Sequence, residues 1–254
     1  MHIYAHRGSS GTHPENTLAA FRHAASLPIH GVEFDVHLTK DGELVVIHDE
    51  KINRTSNGKG FVKDLTLAEL KTYDFGVRFS KEFKGEKIPQ LTEVLEIFSK
   101  TTHHINIELK TDVVAYDGIV EKTLQLVESM ALQSRVVISS FNHDTLREVK
   151  KLAPHIETAT LSMKEFANPF DYVHAIPADG LHISLRTARR PSTKKVVSQG
   201  VPVRVFTVNK VKHIDLLTKI GVQAIFTDFP EKMLAYLNEN KLQQNIQRLL
   251  DRGK

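Results

Sequence analysis

The chain has no cysteine. Disulfides and thiolate metal sites are therefore excluded, and a reducing compartment suits the composition. No apolar run approaches the roughly 18 residues that cross a bilayer. The opening stretch "MHIYAHRG" lacks the apolar segment of a secretory signal. These absences predict a cytoplasmic protein without a membrane span. Charge of one sign is not in large excess: Lys and Arg number 34, Asp and Glu 30, for a net +4. That is a mild lean toward anionic ligands and not the footprint of a nucleic-acid binder. Basic pairs such as Arg189-Arg190 and Lys194-Lys195 read as solvated helix surface. No basic stripe interleaved with aromatics, of the kind that binds single strands, is present. The glycine-rich dinucleotide fingerprint is missing too, which argues against an open doubly wound sheet.

The chain has 254 residues, 41% of them hydrophobic and 25% charged, an ordinary globular composition. Short β-branched runs alternate with longer stretches of helical period. Strands are predicted at 2–6, 31–36, 104–109, 135–139, 156–161, 179–183, 202–206 and 222–226, with amphipathic helices such as 15–27, 116–130 and 143–153 between them. Strand and helix in alternation imply a parallel sheet. Eight strands in a chain of this length match a (β/α)8 barrel, the TIM fold.

Two stretches break the rhythm. "ELVVIH" (43–48) follows Asp41-Gly42, a strong hairpin signal. The connection is too short for a parallel crossover, so 43–48 should return antiparallel along 33–39 and bring His48 back near Asp35. Residues 50–88 are turn-rich and polar, with one short helix expected at 65–70. They read as a small insertion over the C-terminal rim after strand 2, within a single domain spanning 1–254. The barrel resumes with a helix at 91–99 and closes with one at 230–250, ending in a frayed "DRGK".

Catalytic residues of such barrels sit at the C-terminal strand ends and in the loops that follow. The ionisable residues falling there are His6 and Arg7 after strand 1, Glu33 and Asp35 on strand 2, His48 at the hairpin's return, and Glu108 and Lys110 on strand 3. Glu33 and Asp35 are two apart and share a face, as do Glu108 and Lys110. Buried like charges repel unless a cation or proton joins them. Three carboxylates suit a hard divalent cation, Mg2+ or Ca2+. Arg7 and Lys110 suit a phosphate, and two histidines can serve as acid and base. Together these read as metal-assisted phosphodiester hydrolysis. Singly, a strand carboxylate is most often a rim ion pair, and a strand-end histidine a structural one. The convergence of seven such residues at adjacent strand ends outweighs that reading. "PENT" (14–17) has a structural reading: Pro14 stiffens the loop, while Glu15 and Asn16 bond backbone groups and cap the next helix.

The stretches "AHRGSSGTHPENTLAAF" (5–21), "GVEFDVHLTKDGELVVIHD" (31–49), "NRTSNGKG" (53–60), "IPQLTEVL" (88–95), "INIELK" (105–110), "SSFNHDTL" (139–146), "TVNK" (207–210) and "GVQAIFTDFP" (221–230) resemble, in order, the glycerophosphodiester phosphodiesterase family. The resemblance implies a TIM barrel with a small insertion. It implies that His6 and His48 are the acid/base pair, that Glu33, Asp35 and Glu108 hold Ca2+ or Mg2+, and that Arg7 and Lys110 contact phosphate. The implied substrate is a small glycerophosphodiester such as glycerophosphocholine or glycerophosphoethanolamine, cleaved to glycerol 3-phosphate and an alcohol. The family often carries a tryptophan just before "TVN", where this chain has Phe206. That ring and Phe141 are expected to line the substrate mouth. Two alternatives stand beside this reading. A lysophospholipase D would use Phe61, Phe75, Phe79 and Phe83 as an acyl surface, although they could equally be the insertion's own core. A non-catalytic phosphodiester-binding protein would usually have lost one of the seven residues. Oligomeric state is left open.

Overall fold

The computed structural model describes residues 1–252, with side chains for 1–240, 242 and 243. Eight parallel strands close on themselves: β1 (His2–His6), β2 (Gly31–Leu38), β4 (His104–Leu109), β5 (Val136–Ser140), β6 (Glu157–Ser162), β7 (Gly180–Ser184), β8 (Val203–Phe206) and β9 (Ala224–Thr227). Each pairs with the next, and β1 pairs with both β2 and β9. This is the expected TIM barrel, with each barrel strand within two residues of its predicted limits. Between strands run α1 (Leu18–Ser26), α3 (Leu91–Ser99), α4 (Ile119–Ser129), α5 (His143–Leu152), α6 (Pro169–Ala175), α7 (Leu185–Ala188), α8 (Pro191–Ser198) and α9 (Ile214–Ile220), with α10 (Pro230–Arg252) last. Of the predicted frayed end, Asp251 and Arg252 belong to α10, and Gly253 and Lys254 lie outside the described residues.

β2 shows why the sequence takes this form. All eight of its residues are buried, as a strand covered on both sheet faces requires. Val32, Phe34 and Val36 join the apolar layer with Phe21 of α1 and Leu91, Val94, Leu95 and Phe98 of α3. The Phe21 and Phe34 rings meet edge-on at 5.4 Å. Burying each such side chain contributes about 1.5–3 kcal/mol, so the outward face anchors the strand. The alternate residues, Glu33 and Asp35, are thereby turned into the barrel.

The hairpin forms as predicted. β3 (Leu44–Val46) pairs antiparallel with β2, with Val36 opposite Val46 and Leu38 opposite Leu44. Gly42 makes the turn at φ 78°, a backbone region that side chains rarely adopt. The insertion then has its own small core of Val45, Ile47, Ile52, Val62, Leu70, Phe75 and Ile88. Its one α-turn, α2 (Leu67–Leu70), begins with a capping box: Thr66 Oγ1 accepts from the Glu69 amide at 3.3 Å, and Glu69 Oε2 accepts from the Thr66 amide at 2.7 Å. Of the insertion's phenylalanines only Phe75 is in this core. Phe61 is exposed under Lys51, and Phe79 meets Phe83 edge-on near the surface. No helix among the described residues is long and apolar enough to cross a membrane.

Candidate active site

The C-terminal ends of the strands surround a cavity of about 190 Å3. Its lining divides by chemistry. His6, Arg7, Glu33, His48, Asn106 and Glu108 form a polar half, and Phe141, Leu161, Met163, Phe206 and Phe226 form an apolar one. Asp35 and Lys110 are buried beside the polar half. All seven ionisable residues singled out in the sequence are therefore brought together, and the two phenylalanines face them.

The polar half is built on three adjacent strands. Glu33 of β2 is in register with His6 of β1 and Asn106 of β4, and Asp35 with Glu108. One oxygen from each of Glu33, Asp35 and Glu108 can be chosen so that all three lie within 4.8 Å of one another. Burial, then the charges of Asp35 and Glu108, raise the Glu33 pKa well above the ordinary range. Burial and Asp35 likewise push Glu108 up to about 7. Burial acts on Asp35 in the same sense, but Arg7, His48 and Lys110 outweigh it and hold that carboxyl low. Three carboxylates so close cannot all stay ionised without a compensating cation. The donors are all oxygens, which fits a hard divalent ion. Asn16 fits as well: its Nδ2 donates to Asp35 Oδ2 at 3.0 Å, and its buried Oδ1 has no hydrogen-bond partner. Lys110 Nζ donates to Glu108 Oε1 at 2.9 Å, and Arg7 Nε lies 3.5 Å from Asp35 Oδ2.

Arg7 and Gly8 take positive φ, 56° and 75°. A Cβ on Gly8 would sit 2.8 Å from the Ala20 backbone of α1, so the loop turns here only with glycine. The turn lets the Arg7 amide donate to both the Glu33 carbonyl (2.8 Å) and Glu33 Oε2 (3.1 Å).

Each histidine is backed by a carboxylate that the sequence reading did not single out. His6 Nδ1 lies 2.6 Å from Asp228 Oδ1, and His48 Nδ1 lies 2.7 Å from Asp49 Oδ1. A carboxylate at Nδ1 places the proton there and leaves Nε2 free; His6 Nε2 is 4.0 Å from Glu33 Oε2. Burial raises Asp228, but the hydrogen bond and charge of His6 and the Asn209 amide carry it below the usual range. Asp49 is lowered to about 2, with burial overcome by Arg54 and His48. Both aspartates lay inside the quoted motifs, in "IHD" and "TDFP". Asp49 was the more accessible signal, being next to His48 in the chain.

Within "PENT", Glu15 and Asn16 do not cap the helix as expected. Thr17 alone caps α1, its Oγ1 accepting from the Ala20 amide. Asn16 turns back at φ 55° to reach Asp35. Glu15 accepts from Arg7 Nη1 at 2.9 Å and from Arg54 at 2.6 and 2.8 Å. Arg54 also grips Asp49, so the loop and the insertion meet behind His48. His182, absent from the sequence reading, is buried at the cavity wall, where Arg204 Nη1 approaches its Nε2 at 3.1 Å.

Comparison with known proteins bears on this geometry. Residues 6–232 match the profile of the glycerophosphoryl diester phosphodiesterase family. A glycerophosphodiester phosphodiesterase of Bacillus altitudinis is 46% identical over 94% of this chain and 99% of its own. One of Caldanaerobacter subterraneus subsp. tengcongensis is 42% identical over 91% and 96%. The structure of an Oleispira antarctica phosphodiesterase in complex with the product sn-glycerol-3-phosphate superposes with a TM-score of 0.85 at 32% identity, covering 94% of this chain and 97% of that one. The chain is an enzyme and belongs to the glycerophosphoryl diester phosphodiesterase family.

Proposed function

We propose that the chain hydrolyses glycerophosphodiesters to glycerol 3-phosphate and a free alcohol, with His6 and His48 as the acid/base pair. The observation that carries this reading is the meeting, in one cavity, of two carboxylate-backed imidazoles and a three-carboxylate cluster. The product held by the Oleispira antarctica relative supports the same substrate class. The barrel and its insertion act as one catalytic unit, since Arg54 of the insertion braces the residue behind His48.

Glu33, Asp35 and Glu108 are the residues to hold Mg2+ or Ca2+, and such an ion supplies positive charge beside a phosphoryl oxygen. Arg7, at the cavity wall, and Lys110 add fixed cations for the phosphate. Asp228 and Asp49 hold the imidazoles in the tautomer with Nε2 available. One imidazole withdraws a proton from the attacking hydroxyl as its oxygen bonds to phosphorus; water gives glycerol 3-phosphate directly, whereas the neighbouring glycerol hydroxyl gives a cyclic phosphate that water then opens to the same product. The other gives a proton to the alcohol oxygen as the bond between phosphorus and that oxygen breaks. Phe141 and Phe206, edge-on at 6.1 Å, present an apolar wall to the carbon skeleton. The scatter of Phe61, Phe75 and Phe79 over core and surface supports a deacylated substrate over a lysolipid.

The test is release of glycerol 3-phosphate from glycerophosphodiesters by the purified protein, with Mg2+, Ca2+ or Mn2+ and then with chelator. His6→Ala and His48→Ala should each lose about 10²–10⁴-fold in kcat while staying folded by circular dichroism. Wild-type rates in either variant, or faster turnover of lysophosphatidylcholine than of its deacylated form, would overturn the assignment.

A further inference from the structure

Arg189 and Arg190 are exposed, as expected of solvated surface, and with Leu185, Arg186 and His213 they border a hollow of about 500 Å3. Two separate elements supply them: α7 with the residues just after it, and the turn Val211–His213 beyond β8. Arg189 Nη2 donates to His213 Nδ1 at 2.9 Å. A guanidinium only donates, so the imidazole accepts there and carries its own proton on Nε2. Arg190 shares its charge with Glu165 at 3.6 Å. Among the described residues no carboxylate lies within 4.0 Å of Arg186 or Arg189. Lys210 precedes the turn and Lys212 lies within it, and among the described residues neither has an ion-pair partner. Guanidinium groups left unpaired around a concave surface favour a phosphate, which they grip bidentately.

The hollow opens on the same rim as the catalytic cavity. Ser184 at the end of β7 is paired with Phe206, whose ring lines that cavity. Arg186 is two residues further along, so its backbone is at most ~7 Å beyond that rung. Thr187 Oγ1 donates to the carbonyl of Met163, another residue of the cavity's apolar half, at 3.2 Å. A ligand held with its scissile phosphate among the carboxylates and histidines, and extending past Phe206 and Met163, would reach the end of β7, after which the arginines follow in the chain. The lining has no aromatic ring apart from the His213 imidazole, and a basic concavity without stacking rings suits a small anion better than a single-stranded nucleic acid.

We propose that this hollow is a second anion subsite, which takes a phosphate carried by the alcohol half of the substrate and so favours glycerophosphodiesters with an anionic leaving alcohol over those with a neutral or cationic one. The inference rests on the phosphodiesterase reading of the cavity.

Three substrates separate the cases: bis(glycerophospho)glycerol, whose leaving alcohol bears a second phosphate; glycerophosphoglycerol, which lacks it; and glycerophosphocholine, whose leaving alcohol is cationic. Per scissile bond, kcat/KM for the first should exceed that for the second by roughly tenfold. The preference should shrink between about 0.05 and about 0.5 M salt. In Arg186→Ala/Arg189→Ala it should fall to about one, with turnover of glycerophosphoglycerol unchanged. A wild-type ratio near one, or a preference that survives the double substitution, overturns the subsite. Inactivity on all three substrates would be a failure of the catalytic reading. The subsite is then decided by calorimetric titration of inorganic pyrophosphate in chelator. One site per wild-type chain, lost in the double variant, upholds it; no binding, or equal binding to both proteins, overturns it.

Discussion

His6 and Asp228 are 222 residues apart in the chain and 2.6 Å apart in space. The contact exists because β1 pairs with β9 and closes the barrel. Asp228 is itself held by Ser10 Oγ at 3.1 Å and Asn209 Nδ2 at 2.5 Å. An aspartate fixed in this way orients the imidazole and selects its tautomer, which is a positioning role. Asp228→Asn preserves the shape but offers an amide that can donate to Nδ1 and favour the other tautomer. We expect kcat to fall by about 10²–10⁴-fold, as for loss of the acid/base group itself, with KM little changed. A steady-state profile showing a raised KM at normal kcat would assign Asp228 to substrate binding instead.

Arg54 does for His48 what barrel closure does for His6. Its guanidinium bridges Asp49 and Glu15, and Glu15 in turn meets Arg7. The side chain is 47% exposed, so Arg54→Ala should cost little stability, about 0–1 kcal/mol for an exposed pair. The catalytic effect should be larger, roughly 10–100-fold in kcat, because Asp49 loses the group that holds it against His48. Arg54→Lys cannot bridge two carboxylates bidentately and should recover only part of the rate. Equal losses of melting temperature and activity would mean that Arg54 merely holds the insertion down.

The barrel was legible because its signals are local. Helix α3 was predicted at 91–99 and forms at Leu91–Ser99, since Leu91, Val94, Leu95 and Phe98 give one uninterrupted apolar face. Glu33, Asp35 and Glu108 are legible from alternation along strands, a rule that survives folding unchanged, whereas Lys110, expected on the same strand as Glu108, lies one residue past the end of β4. Asn16 was not. Its left-handed backbone sends the side chain away from the helix it precedes and toward Asp35, and an Asn-Thr pair before a helix gives no sign of which residue caps. Asp228 was missed because its partner is at the opposite end of the chain. Arg189 and Arg190 are legible as exposed surface, but nothing in their spacing shows that the turn after β8 folds against them.

The acidic cluster yields a prediction with an unusual sign. Without a cation, Glu33 and Glu108 are raised by burial and by their neighbours' charge, so the cluster strains the metal-free protein. Glu33→Gln removes one of the repelling groups. The variant should melt at or above the wild-type temperature in chelator. Mg2+ or Ca2+ should stabilise the wild type by about 2.7 kcal/mol at a hundredfold excess over Kd, and the variant much less. Thermal unfolding with and without cation reads both effects. A variant that melts lower in chelator, yet gains as much from the cation, would show that Glu33 is neither strained nor a ligand.

His182 predicts how stability changes with acid. It is completely buried, and burial, followed by the charge of Arg204, takes its pKa well below 6.5. The folded protein therefore refuses a proton that the unfolded chain accepts. As pH falls below 6.5 the unfolded state gains protons and the native state does not, so stability declines until the folded pKa is reached. The slope from this residue approaches about 1.4 kcal/mol per pH unit. Above pH 7 both states are neutral there and the contribution vanishes. His182→Asn keeps a hydrogen-bonding side chain beside Arg204 and cannot titrate. Whatever it costs at pH 7, its urea midpoint should fall less steeply than that of the wild type between pH 6.5 and 5. Parallel curves would mean that the buried imidazole takes up its proton as readily in the native barrel as in the unfolded chain.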